Sequence, residues 1–367
     1  MTVIALKTRR ILALGAQSNE IWESALIGQT FGDYRIGDCI GRGGFALVFE
    51  AVHSKTGKSV AFKVLPPTGD PEPSLEFQRE GVLLLRLSGA SNVVALHKTD
   101  RLSLPMKSGA LEIPVEMPFH ILELAQGCLQ ELVLHRDQLD WVERLRLWRG
   151  VVLGVHQMHL RQIVHRDLKS ENCLLFVRPK NQTDCKITDL GRSRHLPSPP
   201  LHAPQQYVTG LGDMRFAPPE FLAWQGDDSK ETHICSDLYG LGSVLFELAT
   251  GQGITAMSLG YGPTVVRANL SLLQSGQTID LTGMRSDFEF AYRLFESSVP
   301  GAISKQAGNL LRHLCDPEPL ARLPLPKFSR KGVEPGLDWL LLRTDILIRT
   351  LTADAKNKSL TSIQEGA

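Results

Sequence analysis

The sequence predicts an α+β protein, with a small, strand-rich first part followed by a larger, mainly helical second part. Apolar residues alternate or cluster at strand spacing from about residue 34 to residue 125. Long segments with helical spacing dominate the chain after that point. The composition, 43% hydrophobic and 22% charged over 367 residues, is typical of a globular protein with a sizeable core.

The first part contains several strands and one helix. Strands are predicted across YRIGDCIGRGGFALVFEAVHSKTGKSVAFKVL, with the turn SKTGK (54–58) between two of them. SLEFQREGVLLLRLS (74–88) has helical spacing of Phe77, Leu84 and Leu87. IPVEMPFHILELA then returns to a strand and ends this part near Ala125.

The second part is predicted to consist mostly of helices joined by loops. NCLLFVRPKNQTDCKIT indicates a hairpin that turns at RPKNQTD, and the proline-rich stretch 195–204 indicates a loop. LDWLLLRTDILIRTL indicates an amphipathic helix, whereas the polar residues 353–367 are expected to be a frayed tail. The other predicted helices lie at 139–160, 234–251 and 303–314.

Composition also excludes several classes of protein. With 40 basic and 39 acidic residues, the net charge of +1 gives no indication of nucleic-acid or acidic-membrane binding. The six cysteines are scattered without a CxxC pair, which favours a reducing compartment over a zinc site or a disulfide framework. The apolar runs near both ends are too short or too interrupted for a secretory signal or a membrane span. We therefore expect a cytoplasmic protein without a membrane span.

A glycine-rich stretch joins two of the predicted strands. GRGGFALV contains Gly41, Gly43 and Gly44. Glycines let a backbone approach a phosphate closely and direct N–H groups at it. A glycine-rich hairpin is nevertheless more often a simple turn, so the stretch alone does not establish a phosphate site.

The strand after this stretch carries a lysine at a notable place. In VAFK, strand alternation puts Lys63 on the same face as Ala61. Glu80 lies on the following predicted helix, where its carboxylate is available to pair with Lys63 and hold it over a phosphate. Taken separately, the two residues are more simply interpreted as a solvated lysine and a surface acid.

The stretch VHRDLKSEN carries a more specific signal. Asp167, Lys169 and Asn172 lie in a short loop after a long predicted helix. A carboxylate accepts a hydroxyl proton, an ammonium offsets charge on a moving phosphoryl group, and an amide oxygen binds a divalent ion. A polar loop that caps a helix is the simpler alternative. The length and order of the motif favour phosphoryl transfer.

These motifs together resemble the Hanks-type, eukaryotic-like Ser/Thr protein kinase family over about residues 34–325. The shared pieces, in order, are GRGGFALV, VAFK, REGVLLLRLSGASNVV, ILELA, HRDLKSEN, DLG, RFAPPE, SDLYGLGSVLFELATG and CDPEPLARLP. The resemblance implies the two-lobed kinase fold, with an antiparallel β-rich N-lobe at about 34–125 and a mainly helical C-lobe at about 126–325. Residues 1–33 are then an N-terminal extension of uncertain order, and residues 326–367 a C-terminal helix with a polar tail.

The resemblance also implies functions for individual residues. It implies that the protein transfers phosphate from ATP to Ser/Thr hydroxyls of protein substrates, itself included, with Mg²⁺ or alternatively Mn²⁺. The implied catalytic residues are Lys63, Glu80, Asp167 and Lys169, and the implied metal ligands are Asn172 and Asp189. The implied nucleotide-binding residues are Gly41, Gly43, Gly44, Val48, Ala61, Lys63, Glu123 and Ala125. Implied regulatory residues are Arg166 and the phosphate acceptor Thr209, and implied structural residues are Glu220, Asp237 and Arg322.

The chain departs from the family pattern at three instructive positions. Leu190 replaces the usual Phe after Asp189, a change that keeps most of the apolar volume and removes no ligand. Ala46 stands where the third loop glycine is usual, which adds one methyl group. Asp213 stands where these kinases place a threonine that touches the catalytic Asp, and it bears on substrate recognition and on full activity.

Two other functions compete with an active protein kinase. The first is a pseudokinase that serves as a scaffold or nucleotide-binding module, for which Asp213 is the main argument. Such proteins usually lack one of Lys63, Asp167, Asn172 and Asp189, and here all four are present. The second is a small-molecule kinase of related fold, which generally lacks an APE-type segment like APPE here. The sequence does not specify the substrate or the oligomeric state.

Overall fold

The computed structural model describes residues 20–43, 45–108, 111–179, 182–199, 212–324 and 336–365. These residues divide into two compact units. The first comprises the described residues up to Gly89 together with Val94–Ala125, and the second comprises Ala90–Val93 together with the described residues from Gln126 onward. The domain boundaries given above stay predictions.

A six-stranded antiparallel sheet forms the centre of the first unit. Its spatial order is β1-β2-β3-β4-β6-β5. Alternating burial along β3 agrees with the alternation read from the sequence, whereas β4 buries Val60, Ala61 and Phe62 in succession. The strands are β1 (Thr30–Phe31), β2 (Tyr34–Arg42), β3 (Leu47–His53), β4 (Ser59–Val64), β5 (Leu96–Ser108) and β6 (Leu111–Leu122).

Two helices complete the first unit. Helix α1 (20–26) packs Leu26 into the apolar core on the sheet face that carries Phe49 and Phe62. Helix α2 (Pro71–Arg86) is capped by Asp70, whose side chain accepts a hydrogen bond from the backbone N–H of Glu72.

Helices dominate the second unit. The most buried is α6, which begins after the cap Ser229 and ends where Gly251 adopts φ 75°. Trp148 of α4 is fully buried and donates its indole N–H to Leu241 O of α6 at 2.9 Å. The helices are α3 (Leu129–Leu134), α4 (Trp141–His159), α5 (Pro219–Leu222), α6 (Lys230–Thr250), α7 (Ile254–Leu259), α8 (Gly262–Gln274), α9 (Arg285–Ser298), α10 (Gly301–Leu314) and α11 (Asp338–Glu365).

Short strands carry the polar loops of the second unit. The predicted hairpin is β9 (Cys173–Arg178) paired antiparallel with β10 (Gln182–Ile187), and β9 also pairs with β7 (Gly127–Cys128). A second pair joins β8 (Ile163–Val164) to β11 (Arg194–His195). Together these pairs confirm the α+β, two-part fold predicted from the sequence.

Two segments outside the predicted kinase region have regular structure. Residues 20–31 of the extension form α1 and β1, so this part is folded. The polar tail was predicted to be frayed, and that prediction is wrong, because α11 continues to Glu365. Once the apolar half of α11 is packed, each further residue adds one hydrogen bond without a new nucleation cost, and the pair Asp354–Lys358 supports that extension. Across the described ranges, every helix is too short or too polar to cross a bilayer.

Candidate active site

The first unit presents a lysine held by a glutamate. Lys63 of β4 donates from Nζ to both carboxylate oxygens of Glu80 on α2, at 2.8 and 2.7 Å. The Glu80 side chain is buried and that of Lys63 is mostly buried. Two charges in such surroundings need this pairing, so the contact fixes the direction of the ammonium group. The structure therefore brings together the two residues that the sequence offered separately.

The predicted nucleotide-binding residues of β2, β3 and β4 share one face of the sheet. Gly41 lies opposite Val48, and Val48 lies opposite Lys63. Directly opposed residues in an antiparallel pair point to the same face, and Ala61 lies two residues from Lys63 on β4. Gly43 donates its N–H to Ala46 O at 2.9 Å and begins the tight turn of the glycine-rich loop. Gly44 lies outside the described residues.

Two hydrogen bonds between Glu123 and Ala95 hold the segment that ends the first unit. Glu123 donates its N–H to Ala95 O at 3.0 Å, and the N–H of Ala95 donates to the Glu123 carboxylate at 2.8 Å. Ala125 follows two residues later and is half-buried. The contacts fix the backbone direction of this predicted adenine-seating segment.

The motif HRDLKSEN forms a compact loop in the second unit. Its end is a short 3-10 helix, Ser170–Asn172. Asn172 donates from Nδ2 to Asp167 O at 2.8 Å, so its amide oxygen is the atom left for a cation. Lys169 Nζ lies 3.7 Å from Asp167 Oδ2 and 3.4 Å from Glu171 Oε2. Three of the predicted site residues, Asp167, Lys169 and Asn172, thus converge.

The charge on Lys169 is stabilised by its neighbours. Burial alone would lower the pKa of Lys169, because it disfavours the ammonium form. The carboxylates of Asp167, Glu171 and Asp213 outweigh that effect and raise the pKa. Lys169 is therefore a cation placed beside the carboxylate of Asp167.

Asp237 of α6 fixes the start of this loop by accepting two of its backbone N–H groups. Its two carboxylate oxygens accept the N–H groups of His165 and Arg166, each at 2.8 Å, and His159 Nε2 lies 2.8 Å from Oδ2. Burial would raise the pKa of Asp237, but the contact with His159 and the nearby donors lower it. A fully buried anion thereby fixes the residues that precede Asp167.

A second buried carboxylate lies under the same loop. Glu247 accepts the hydroxyl of Ser170 at 2.7 Å and its backbone N–H at 3.3 Å. Burial raises the pKa of Glu247 to about 7, because the two donors do not fully offset the loss of hydration. The sequence analysis did not identify Glu247 and His159. Glu247 contacts Ser170 and His159 contacts Asp237, and each pair is separated by more than 70 positions in the chain.

The motif DLG follows strand β10 and turns immediately. Asp189 is exposed and has φ 59° and ψ 68°, and a short 3-10 helix, Leu190–Arg192, begins after it. The preceding Thr188 donates its N–H to Asn172 O at 3.0 Å, so Asp189 follows a residue bound to the other predicted metal ligand. Leu190 is fully buried, as its predicted packing role requires.

Carboxylate and amide oxygens are suitable ligands for Mg²⁺, which commonly takes one or two protein ligands and leaves its other positions to water and phosphate oxygens. Asp189 and Asn172 fit that pattern. Within the described residues, no cluster of three or more His, Cys, Asp or Glu side chains is placed to hold a metal ion. The donor set thus suits a metal that arrives with a phosphate ligand better than an all-protein cage.

The predicted structural ion pair is present in the helical unit. Arg322 donates from both terminal nitrogens to Glu220, at 2.7 and 2.8 Å, and both side chains are buried. Arg322 also donates to the carbonyl oxygens of Cys235, Asp316 and Pro317. A bidentate pair with its other donors satisfied is the arrangement that makes a buried ion pair tolerable.

The unusual Asp213 has a local partner. Its carboxylate accepts from the backbone N–H and guanidinium of Arg215, and Arg215 Nη2 lies 3.4 Å from Glu171 of the catalytic loop. Burial would raise the pKa of Asp213, but the hydrogen bonds from Arg215 lower it. Asp213 is an anion held by Arg215, an arrangement that a threonine would not provide.

Of the two predicted regulatory residues, the structure describes Arg166 but not Thr209. Arg166 is buried with φ 71°, and Thr209 lies outside the described residues. The same segment offers three further candidate phosphate acceptors, Ser193, Ser198 and Tyr207. Ser193 is fully buried and donates to His165 O, and Ser198 Oγ lies 2.8 Å from His195 Nδ1. Tyr207 also lies outside the described residues.

Comparison with known proteins gives one family. The family model for the protein kinase domain matches residues 34–331. CBL-interacting protein kinase 8 of Oryza sativa is 27% identical over 310 residues, which cover 83% of this chain and 59% of that protein. The SNF1-related protein kinase catalytic subunit alpha KIN12 of Arabidopsis thaliana is 28% identical over 223 residues, covering 60% of this chain and 40% of that protein.

A bacterial relative shows the same likeness. The probable serine/threonine-protein kinase PknB of Bifidobacterium longum is 26% identical over 237 residues, covering 63% of this chain and 32% of that protein. The chain therefore spans between about a third and three fifths of the length of these relatives.

Proposed function

This chain belongs to the protein kinase family, and from that premise we propose that it transfers the γ-phosphate of ATP to serine and threonine hydroxyls of protein substrates, itself included. The observation that carries the proposal is the convergence of Asp167, Lys169 and Asn172 over the buried Asp237. The serine/threonine preference is supported by the names of the relatives and by the order DLK in the catalytic loop.

The first unit would bind the nucleotide. Lys63, directed by Glu80, would hold the α- and β-phosphates. Gly41, Gly43, Gly44 and Val48 would cover them, while Ala61, Glu123 and Ala125 would seat adenine. Asn172 and Asp189 would hold Mg²⁺, or alternatively Mn²⁺, and the bound ion would offset charge on the phosphates.

The second unit would act on the acceptor hydroxyl. Asp167 would orient the hydroxyl and accept its proton as the oxygen attacks the γ-phosphorus. Lys169, kept as a cation by its acidic neighbours, would offset negative charge on the moving phosphoryl group. Arg166 and His165 are fixed by Asp237, which limits the movement of Asp167.

An assay with ATP, Mg²⁺ and a generic protein substrate tests the proposal. We expect phosphate on serine and threonine of the substrate and on the protein itself, located by mass spectrometry. Nucleotide binding without transfer would instead support the scaffold alternative, for which Asp213 was the argument. Transfer to small molecules but not to protein would support a small-molecule kinase.

We also propose control by phosphorylation of Thr209. A phosphate brings about −1.5 to −2 charges, which the guanidinium of Arg166 is suited to bind. The measurement is mass spectrometry after incubation with ATP, together with the rate of Thr209→Ala. A fully active Thr209→Ala protein, with no phosphate at that position in the unaltered protein, would remove this mechanism.

The location proposed for the protein is the cytoplasm. All six cysteines are free, four of them buried, which supports a reducing compartment. Burial raises the pKa of Cys235 to about 12, so that thiol stays protonated and unreactive.

A further inference from the structure

Helix α1 precedes the family domain, which begins at residue 34, yet it is firmly attached to the sheet. Leu26 is fully buried in the core of the sheet, and Trp22 and Ala25 pack against the same core. Backbone bonds continue the attachment, from Gly28 N to Ile36 O at 3.0 Å and from Ile36 N to Gln29 O at 2.9 Å. The helix is therefore a fixed support on one face of the sheet.

From this support one carboxylate reaches the glycine-rich loop. Glu23 accepts two hydrogen bonds from Arg42, from Nε and Nη2, each at 2.8 Å. Arg42 is the last residue of β2 and precedes the turn that begins at Gly43. The Glu23 side chain is 17% exposed and that of Arg42 is 62% exposed, so the better buried partner is the anchor.

The pair lies on the sheet face opposite to the predicted nucleotide-binding residues. Arg42 lies opposite Leu47, whose side chain belongs to the same buried core as Leu26. Gly41 lies opposite Val48, which shares its face with Lys63. Because successive residues of a strand alternate between faces, Arg42 points away from the side where phosphates would bind. Glu23 therefore holds the loop from the sheet face opposite to the predicted phosphate site, and it does not compete with phosphate for Arg42.

The strand that carries the loop needs such a support. The pairing of β2 with β3 shifts register between Ile36 and Cys39, and again between Cys39 and Gly41. Irregular pairing leaves ladder groups unmatched and bends the strand. The bidentate contact with Arg42 comes directly after this irregular stretch, at the last pair of the β2–β3 ladder before the loop.

We propose that Glu23 is a positioning residue for nucleotide binding, which acts by holding Arg42 and thereby the glycine-rich loop. The proposal rests on the proposed function, since it assigns the loop to a nucleotide. It makes the extension before the family domain part of the nucleotide-binding unit.

The test compares Glu23→Gln with the exchanged pair Glu23→Arg/Arg42→Glu. Asp33→Asn serves as the matched control, because Asp33 forms a similar surface ion pair with Lys55 away from the loop. In Glu23→Gln we expect the KM for ATP and the Kd of a fluorescent ATP analogue to rise about threefold to fivefold, the range that loss of a surface ion pair allows. The kcat should stay within about twofold, since no group that touches the reacting atoms is changed.

Amide hydrogen exchange of the peptide spanning residues 41–48, without nucleotide, gives a readout independent of activity. Exchange should be faster in Glu23→Gln and return toward the unaltered rate in the exchanged pair, while Asp33→Asn should match the unaltered protein. Equal exchange and equal nucleotide affinity in all proteins would overturn the proposal. Failure of the exchanged pair to restore either quantity would overturn it as well. An unaltered protein without phosphate transfer would count against the proposed function instead, and the exchange rates would still decide the role of Glu23.

Discussion

Two non-glycine residues of the candidate site have left-handed backbone conformations. Arg166 has φ 71° and Asp189 has φ 59°, values that side chains other than glycine seldom adopt. Such conformations persist where surrounding contacts impose them, and they concentrate at functional positions. Here Asp237 holds Arg166 through its backbone N–H, and the strain falls directly before the proposed base and at a proposed metal ligand.

Substitutions at Leu190 and Asp189 test, residue by residue, which of the two side chains the proposed activity requires. Leu190→Phe should keep activity within about tenfold, or about 1.4 kcal/mol of barrier, because the buried leucine supplies packing and no ligand. Asp189→Asn should cost far more, since it removes a charged ligand. Steady-state rates of both variants, with thermal unfolding as a control for overpacking, check this. Equal losses would show that the leucine has a further role.

Glu247 predicts a pH dependence of stability. Its pKa is about 7 in the folded protein against 4.5 ordinarily, so the folded state binds more protons between these values. The contribution of Glu247 to the free energy of unfolding is therefore fully present below about pH 4.5. It is lost as pH rises through about 7, and the loss is about 3 kcal/mol in all. Glu247→Gln should lack this fall. Urea unfolding at several pH values measures it, with the exposed Glu116→Gln as a control that keeps the original slope. Identical slopes for Glu247→Gln and the unaltered protein would refute the assignment.

At the scale of elements, α11 is an integral part of the second unit. Its first half packs on α4, where Arg149 Nε donates to Asp345 at 2.6 Å, and Leu337, the residue before the helix, donates its N–H to His156 Nδ1 at 3.0 Å. Leu340 and Leu347 are buried. The helix lies after residue 331, where the family match ends, and still contributes to the core of that unit.

Truncation of one α11 side chain tests that contribution. Leu340→Ala should lower the free energy of unfolding by about 2–5 kcal/mol, because it leaves a cavity at a fully buried site. Leu342→Ala, on the same helix but 59% exposed, should change it by less than about 0.5 kcal/mol. Denaturant unfolding of the two variants measures the difference. Equal effects would mean that α11 does not pack as described.

Local patterns account for the elements that could be predicted. Spacing of apolar residues located α2, α4, α6 and α10, and turn residues located the β9–β10 hairpin. Strand β5 was not identified, because its first half is polar and Pro105 interrupts the alternation of Leu102, Leu104 and Met106 in its second half. Its strand state also depends on pairing with β6. Helices α8 and α9 were likewise not identified.

The features of the site that could not be predicted from the sequence are contacts between residues far apart in the chain. The motifs indicated which residues carry chemistry, but not that Glu247 would accept from Ser170, which is 77 positions away. The bond from Arg42 to Glu23 crosses 19 positions and joins an exposed strand end to a helix outside the recognised pattern. Neither contact produces a periodic pattern in the sequence, because each depends on a single polar residue at one position.

At the scale of the whole molecule, the proposed activity divides between the two units. The first supplies the Lys63–Glu80 pair and the glycine-rich loop, and the second supplies the catalytic loop with its buried anchors. Membership of the protein kinase family is the reason to assign both sets to one reaction. The central claim is that Asp167 serves the acceptor hydroxyl and does not bind the nucleotide.

The direct measurement is phosphate transfer from labelled ATP to a generic protein substrate by Asp167→Ala, with ATP affinity determined on the same preparation. We predict that transfer is lost while affinity stays within about twofold, because the missing carboxylate acts on the hydroxyl proton. Asp184→Ala, which removes an exposed carboxylate paired with Arg178 on the β9–β10 hairpin, should retain both properties. Unchanged transfer by Asp167→Ala would contradict the account.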